Sequence, residues 1–189
     1  MKLTIMGNEL KIFNPEITKN NLIISSLFLT SYELLKNSII DRIKTFLCTE
    51  FKFIEHKIIY KESEEYRLVK NKDKNLLEAS LLWLIEMEII TKEEKGLIHK
   101  IREQRNRIAH NLPELLTDNS KNIDINLFLE TKRLIDKIEK WWIIEVDMSI
   151  NPYFDNINND ELDTENILPG TSLMLDWIIK CAFDLKGNE

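Results

Sequence analysis

The amino-acid sequence predicts an all-α fold, an antiparallel helical bundle of four principal helices followed by a C-terminal helix. Apolar residues recur at three- and four-residue spacing along several long segments, which is the pattern of amphipathic helices. Only four Gly and four Pro occur in 189 residues, too few for the many tight turns of a β-sandwich or barrel. Residues that favour helix N-caps precede most of the periodic segments.

The composition is that of one globular domain. Hydrophobic residues make up 43% and charged residues 31% of the chain, and its length suffices to bury a sizeable core. Because neither a linker nor an internal repeat interrupts the sequence, we predict a single domain over residues 1–189. Its core bundle is expected at about 20–145, and a C-terminal loop and helix at 147–189.

The N-terminal part is predicted to hold one long helix between two less regular segments. Gly7-Asn8 is a turn signal that favours a small hairpin within residues 1–19, and Pro15 precedes the helix. The helix itself is predicted over residues 20–50, where apolar and charged positions alternate with helical periodicity. Residues 51–72 are mixed and strongly charged, which predicts a connector that can include one irregular strand.

Cap residues divide the middle of the chain into two further helices. Asp73 is expected to cap a helix over residues 74–90. Thr91 and Glu94 then form a capping box, in which each side chain binds a free amide at the start of the next helix. That helix should end about two residues before Pro113, since proline lacks the amide hydrogen that continues a helix.

The C-terminal third is predicted to contain two helices joined by a loop. Asp124 is expected to cap a helix over residues 125–146. Residues 147–170 are polar and acidic and contain Pro and Gly, which predicts a loop. Thr171 is expected to cap the last helix, over residues 172–185.

Charge and cysteine content narrow the class of protein. The net charge of −6 means that any nucleic-acid site must be a local basic patch. Cys48 and Cys181 are the only cysteines, and neither a metal-binding cluster nor a cofactor motif is visible. We find no signal peptide and no apolar stretch near the roughly 20 residues of a membrane span. The sequence therefore predicts a soluble, cytoplasmic protein with no membrane partner, metal or cofactor.

One segment combines positive charge with chemically useful side chains. Residues 95–110 contain five Lys or Arg and one acid, a local charge of +4, whereas residues 145–189 carry a local charge of −8. The segment ends Arg105-Asn106-Arg107-Ile108-Ala109-His110. Histidine can take or give a proton near neutral pH, and arginine offers permanently charged donors to a phosphate. This combination suits phosphodiester cleavage without a metal.

We therefore predict two sets of site residues on this helix. The candidate catalytic residues are Arg105, Asn106 and His110, and the candidate RNA-binding residues are Lys100, Arg102 and Arg107. The alternative is that these cations only satisfy the negative end of the helix dipole. On an ideal helix Arg105 and His110 lie about 140° apart, so one helix presents them poorly to one phosphate. We therefore expect a homodimer that brings two such helices together around one cleft.

The motif resembles the R-x(4–6)-H motif of the HEPN superfamily, including the preference for a polar residue directly after the Arg. The segment Ser31-Tyr32-Glu33-Leu34-Leu35-Lys36 is also similar to the start of several prokaryotic members, and the resemblance covers about residues 20–145. It implies a helical bundle that dimerises and cuts RNA without metal, leaving 2′,3′-cyclic phosphate ends. Members act as toxins of toxin–antitoxin systems, abortive-infection effectors in phage defence, and nucleases associated with CRISPR.

The sequence departs from one branch of this family. Toxins paired with a nucleotidyltransferase antitoxin continue the motif as His-x-Tyr, whereas here Asn111-Leu112 follows His110. The resemblance is therefore to stand-alone abortive-infection members, with an antitoxin or another defence protein as a candidate partner. Two alternative functions are a non-catalytic HEPN-like module that binds RNA or protein, and a helical adaptor whose motif is accidental.

Two further residues allow more than one interpretation. Glu33 is either an exposed residue of the first helix or, by resemblance, a group that orients a motif residue. His99 lies eleven residues before His110 and is either a solvated side chain or part of a groove.

Overall fold

The computed structural model describes residues 11–48, 50–54, 57–118, 120–152 and 164–184. These residues form seven α-helices with short π-helical and 3-10 segments, and one two-stranded antiparallel sheet. The predicted all-α class is confirmed. The turn predicted at Gly7-Asn8 lies outside the described residues.

The first helix, α1, spans Pro15–Lys36 and begins five residues earlier than the sequence predicted. The reason is local, because the Asn14 side chain accepts the amides of Glu16 and Ile17 while Pro15 occupies the first helical turn. A π-helical turn, Asn37–Asp41, joins α1 to the short helix α2, Arg42–Leu47. The long helix that the sequence predicted is therefore continuous, but a π-helical turn separates its two α-helical parts.

A hairpin and a short helix occupy the region predicted as a connector. Strands β1 (Glu50–Ile54) and β2 (Lys57–Lys61) pair antiparallel, with Phe51 opposite Tyr60. Helix α3, Glu64–Lys70, follows them and is capped by the hydroxyl of Ser63. The prediction of one irregular strand was wrong, because two regular strands form by pairing with each other. The many charged residues hide the alternation of apolar and polar positions in the sequence.

The two central helices begin at caps, as predicted, although one cap is displaced. Helix α4 spans Leu76–Glu86 and is capped by Asn75, whose own amide donates to Asp73 at 2.7 Å. Helix α5 spans Lys92–Thr117. Its capping box is confirmed, with amide-to-side-chain distances of 3.2 Å from Glu94 to Thr91 and 2.9 Å in the reverse direction.

Pro113 interrupts α5 but does not end it, which corrects the prediction. Asn111 has non-helical backbone angles, φ −123° and ψ 28°, and the helix resumes after it. Pro113 cannot donate to the carbonyl of Ala109, so the break falls just before it. The proline then lies in the first turn of the resumed helix, where no amide hydrogen is needed.

The last two helices complete the bundle. Helix α6 spans Ile125–Trp141, is capped by Asp124 as predicted, and continues as a π-helical turn over Trp142–Asp147. A 3-10 turn, Thr164–Asn166, precedes helix α7. Helix α7 spans Gly170–Asp184, so Thr171 lies inside it and the predicted cap there was wrong.

The core lies where α1 packs against α5 and α6, with α7 against α1 and α6. Its fully buried side chains are mainly aliphatic and come from each of the long helices: Phe28, Leu35, Ile39, Leu81, Leu84, Ile98, Ile101, Ile108, Leu134, Ile135 and Ile138. Among the described residues, no helix is long and apolar enough to cross a membrane. The packing of α5 on α1 is the contact that positions the candidate site.

Candidate functional site

The motif lies on the part of α5 that precedes the break at Asn111. Three residues on one side of this helix, Ile101, Gln104 and Ile108, are buried in the bundle. Their spacing follows the helical repeat, so it determines which neighbouring positions face α1 and which face outward. Arg105 is adjacent to this buried stripe, while Asn106 and His110 are exposed.

The guanidinium of Arg105 is held against α1 by two neighbouring residues. One of its terminal nitrogens donates to Glu33 Oε1 at 2.8 Å. Its carbon atom lies 5.5 Å from the centre of the Tyr32 ring, within the range of a cation–π contact. The Arg105 side chain remains 31% exposed. Arg105 is therefore oriented by α1 and still reachable from solvent.

A third contact links Arg105 to the motif residue beside it. The other terminal nitrogen of Arg105 lies 3.4 Å from Asn106 Oδ1. The remaining nitrogen, Nε, is buried and has no hydrogen-bond partner among the described residues. Arginine carries five N–H donors in a planar fork, and these contacts use only part of them. Because the side chain is partly exposed, its unused N–H groups can still bind an anion.

The charges beside Glu33 keep its carboxylate ionised. Burial opposes ionisation of Glu33, but the hydrogen bond from Arg105 and the charge of Lys36 outweigh it and hold the pKa of that carboxyl below its usual value of 4.5. Burial raises the pKa of the Tyr32 phenol, against the opposing charges of Arg102 and Arg105.

His110 lies at the end of the regular part of α5, directly before the break. It is exposed, and among the described residues none forms a hydrogen bond or ion pair with its ring. It follows Arg105 by five residues, which separates the two by about 7.5 Å along the helix axis and about 140° around it. The structure thus brings Arg105 and Asn106 into contact. His110 follows Asn106 by four residues and shares its face of the helix, but it points away from Arg105.

The predicted RNA-binding residues have different surroundings. Lys100 is exposed and Arg102 is half-buried. Arg107 instead donates to the backbone carbonyl of Asn122 at 2.8 Å and to the side chain of Gln104. Its guanidinium therefore fastens the connection between α5 and α6.

Sequence reasoning left the role of Glu33 open, and the structure places it on Arg105. The signal was weak, because the two residues are 72 positions apart and an isolated Glu on a helix surface is common. The position directly after the buried Tyr32 could have indicated that Glu33 borders the helix contact. The ring of His99 contacts α4, where its Nδ1 lies 3.4 Å from Glu78.

Comparison with known proteins finds no match to a protein family, a curated protein or a solved structure. Within the described part of the chain, no group of three or more His, Cys, Asp or Glu residues is arranged to hold a metal ion.

Proposed function

We propose that the protein is a metal-independent endoribonuclease that acts as a toxin or abortive-infection effector in phage defence. Its site comprises Arg105, Asn106 and His110, and is completed in a homodimer. The observation that carries the proposal is the placement of Arg105, which α1 orients through Glu33 and Tyr32 while the side chain stays partly exposed. A fixed, permanently charged donor of this kind suits a phosphate whose charge increases in the transition state.

The reaction that fits these side chains is transfer of a phosphodiester to the neighbouring ribose 2′-hydroxyl. Arg105 neutralises the phosphate, Asn106 supplies a neutral hydrogen-bonding group beside it, and His110 transfers a proton. The products are a 2′,3′-cyclic phosphate and a 5′-hydroxyl. The resemblance to HEPN ribonucleases supports the same reaction class, and these side chains need no metal to carry it out.

RNA cleavage by the purified protein tests the proposal. Wild-type protein should cut single-stranded RNA in EDTA and leave the ends named above. His110→Ala and Arg105→Ala should each reduce the rate at least about 100-fold, the usual scale for losing an acid–base or charge-stabilising group. His99→Ala is the matched control, because it removes an imidazole from the same helix and should leave the rate unchanged.

The main alternative is a non-catalytic HEPN-like module that binds RNA or protein. It predicts RNA binding that survives in His110→Ala, with no cleavage by either protein. Expression in a bacterial host extends the test to the effector role: wild-type protein should arrest growth and His110→Ala should not. Growth arrest by both proteins would contradict a nuclease effector.

A further inference from the structure

The proposed reaction needs two proton-transfer groups, and the motif supplies one. The 2′-hydroxyl loses a proton as it attacks phosphorus, while the 5′-oxygen on the opposite side gains one as it leaves. A single imidazole cannot face both oxygens in the same step, because they lie on opposite sides of the phosphorus. Since Arg105 and Asn106 are poor proton acceptors, one group remains to be identified.

Glu33 borders the guanidinium on which the proposed phosphate would bind. Its carboxylate is 2.8 Å from Arg105, so it is within reach of a ribose attached to such a phosphate. The Glu33 side chain is 45% exposed and is therefore open to a substrate. An ionised carboxylate only accepts hydrogen bonds, which is the property required of a group that removes a proton.

The charges around Glu33 favour its ionised form. Two cations face it, Arg105 from α5 and Lys36 from its own helix, with Lys36 Nζ at 3.4 Å from Oε2. They keep the carboxylate ionised at neutral pH, in agreement with the lowered pKa of this group. The low basicity weakens each proton transfer, but nearly every molecule carries the base in its active form.

We propose that Glu33 is the general base of this site and that His110 is the general acid, an assignment that rests on the proposed ribonuclease function. Glu33 takes the proton of the ribose 2′-hydroxyl as the bond from this oxygen to phosphorus forms. The bond from phosphorus to the 5′-oxygen breaks, and the imidazolium of His110 protonates that oxygen. One proton is taken and one is given, so the step balances and leaves a cyclic phosphate and a 5′-hydroxyl.

A carboxylate that only positions Arg105 must be distinguished from a base. Glu33→Gln makes this distinction, because the amide oxygen can still accept from Arg105 but cannot take a proton. The matched control is Glu103→Gln, which removes the same charge from an exposed position on α5. We expect Glu33→Gln to lower the rate at least about 100-fold. Glu103→Gln should stay within about threefold of wild type, since an exposed side chain that does not contact the reacting atoms contributes little.

A modified substrate separates the base from the acid. An RNA oligonucleotide with sulfur in place of the bridging 5′-oxygen has a leaving group that needs no proton. His110→Ala should recover most of its lost rate on this substrate, whereas Glu33→Gln should remain as impaired as on normal RNA.

Each result supports or overturns the assignment. If Glu33→Gln cuts normal RNA at the wild-type rate while His110→Ala and Arg105→Ala are inactive, Glu33 is not the base and the ribonuclease proposal stands. If sulfur rescues Glu33→Gln and not His110→Ala, the two roles are wrongly assigned. If wild-type protein cuts neither substrate, the proposed function fails together with this inference.

Discussion

At the scale of the residue, Arg105 shows how a surface cation becomes a specific donor. An arginine near a helix end is favoured by the helix dipole alone, which would leave its side chain free in solvent. Here the guanidinium has a carboxylate partner, Glu33, and an aromatic neighbour, Tyr32, both on another helix. These contacts restrict its rotamers before any ligand binds, and such preorganisation lowers the entropic cost of binding a phosphate.

The pairing of Glu33 with Arg105 predicts a pH-dependent stability difference. Because the folded-state pKa of Glu33 is lowered, the ionised carboxylate stabilises the fold above its usual value of 4.5. That contribution is lost as pH falls through the lower folded-state value. Wild type should exceed Glu33→Gln in unfolding free energy by about 0.5 kcal/mol at neutral pH, a value kept small by solvent exposure.

Urea unfolding at neutral pH and near pH 3 measures this difference. It should be present at neutral pH and absent in acid. A difference that grows in acid would contradict the assigned direction of the shift.

Replacing Arg107 should lower the stability of the fold, whereas replacing Arg102 should lower the affinity for RNA. Arg107→Ala deletes hydrogen bonds that hold the connection between α5 and α6, so it should lower unfolding free energy by about 1–2 kcal/mol. Arg102→Ala should change stability little and weaken RNA binding, with a smaller salt dependence than wild type. Thermal unfolding and RNA titration at two salt concentrations test the pair. An Arg107→Ala protein of unchanged stability with reduced RNA affinity would reverse this expectation.

At the scale of the element, the π-helical turns Asn37–Asp41 and Trp142–Asp147 lie beside each other. The turn Asn37–Asp41 carries Ser38, whose buried hydroxyl donates to the carboxylate of Glu139 on α6. Arg42 pairs with Glu139 at 3.6 Å and with Asp147, in the second turn, at 2.8 Å. These groups line a polar cavity of about 520 Å³. The wider π-helical winding of both turns accompanies this polar contact within the bundle.

Removing the Ser38 hydroxyl should destabilise the bundle. Ser38→Ala takes a donor away from a carboxylate that is largely buried, so we expect a loss of about 1–3 kcal/mol in unfolding free energy. Ser149→Ala is the control, because that exposed hydroxyl binds only carbonyls of its own turn. Urea unfolding of both variants measures the difference. Equal stability of the two would show that the contact with Glu139 contributes nothing.

At the scale of the whole molecule, the position of His110 argues for two chains in one site. Arg105 and His110 point in directions about 140° apart on one helix. A two-fold dimer can present Arg105 with Glu33 from one chain and His110 from its partner to the same phosphate. The local charge of +4 over residues 95–110, in a chain of net charge −6, would then be doubled at the shared cleft.

Mixing two inactive variants tests this arrangement. Arg105→Ala and His110→Ala should each be inactive, but a mixed dimer contains one intact pair and one doubly broken pair. Under conditions that allow subunit exchange, RNA cleavage should return to as much as about one quarter of the wild-type rate. The estimate assumes random exchange in which half the dimers are mixed and each holds one of two sites.

A second mixture provides the control. Glu33→Gln and Arg105→Ala alter residues that contact each other within one chain, so their mixture should restore no intact site. Absence of rescue in the first mixture, despite demonstrated exchange, would exclude pairing between chains. Rescue in the second mixture would show that Glu33 and Arg105 act from different chains.

The sequence by itself determined the features that depend on near neighbours in the chain. The all-α class, the capping box of Thr91 and Glu94, the cap at Asp124 and the break before Pro113 all arise from interactions within about four residues. Such interactions leave a direct trace in residue order. The sequence also predicted which helix would carry Arg105 and His110, since that requires only the helical repeat.

Only the tertiary structure decided the partners of those side chains. Glu33 reaches Arg105 across 72 residues of chain, and Arg107 donates to the backbone carbonyl of Asn122. The strands β1 and β2 likewise form only because they pair with each other. Contacts of this kind depend on how helices and strands pack, and packing is governed by the whole set of buried side chains. No local pattern of residues therefore records them.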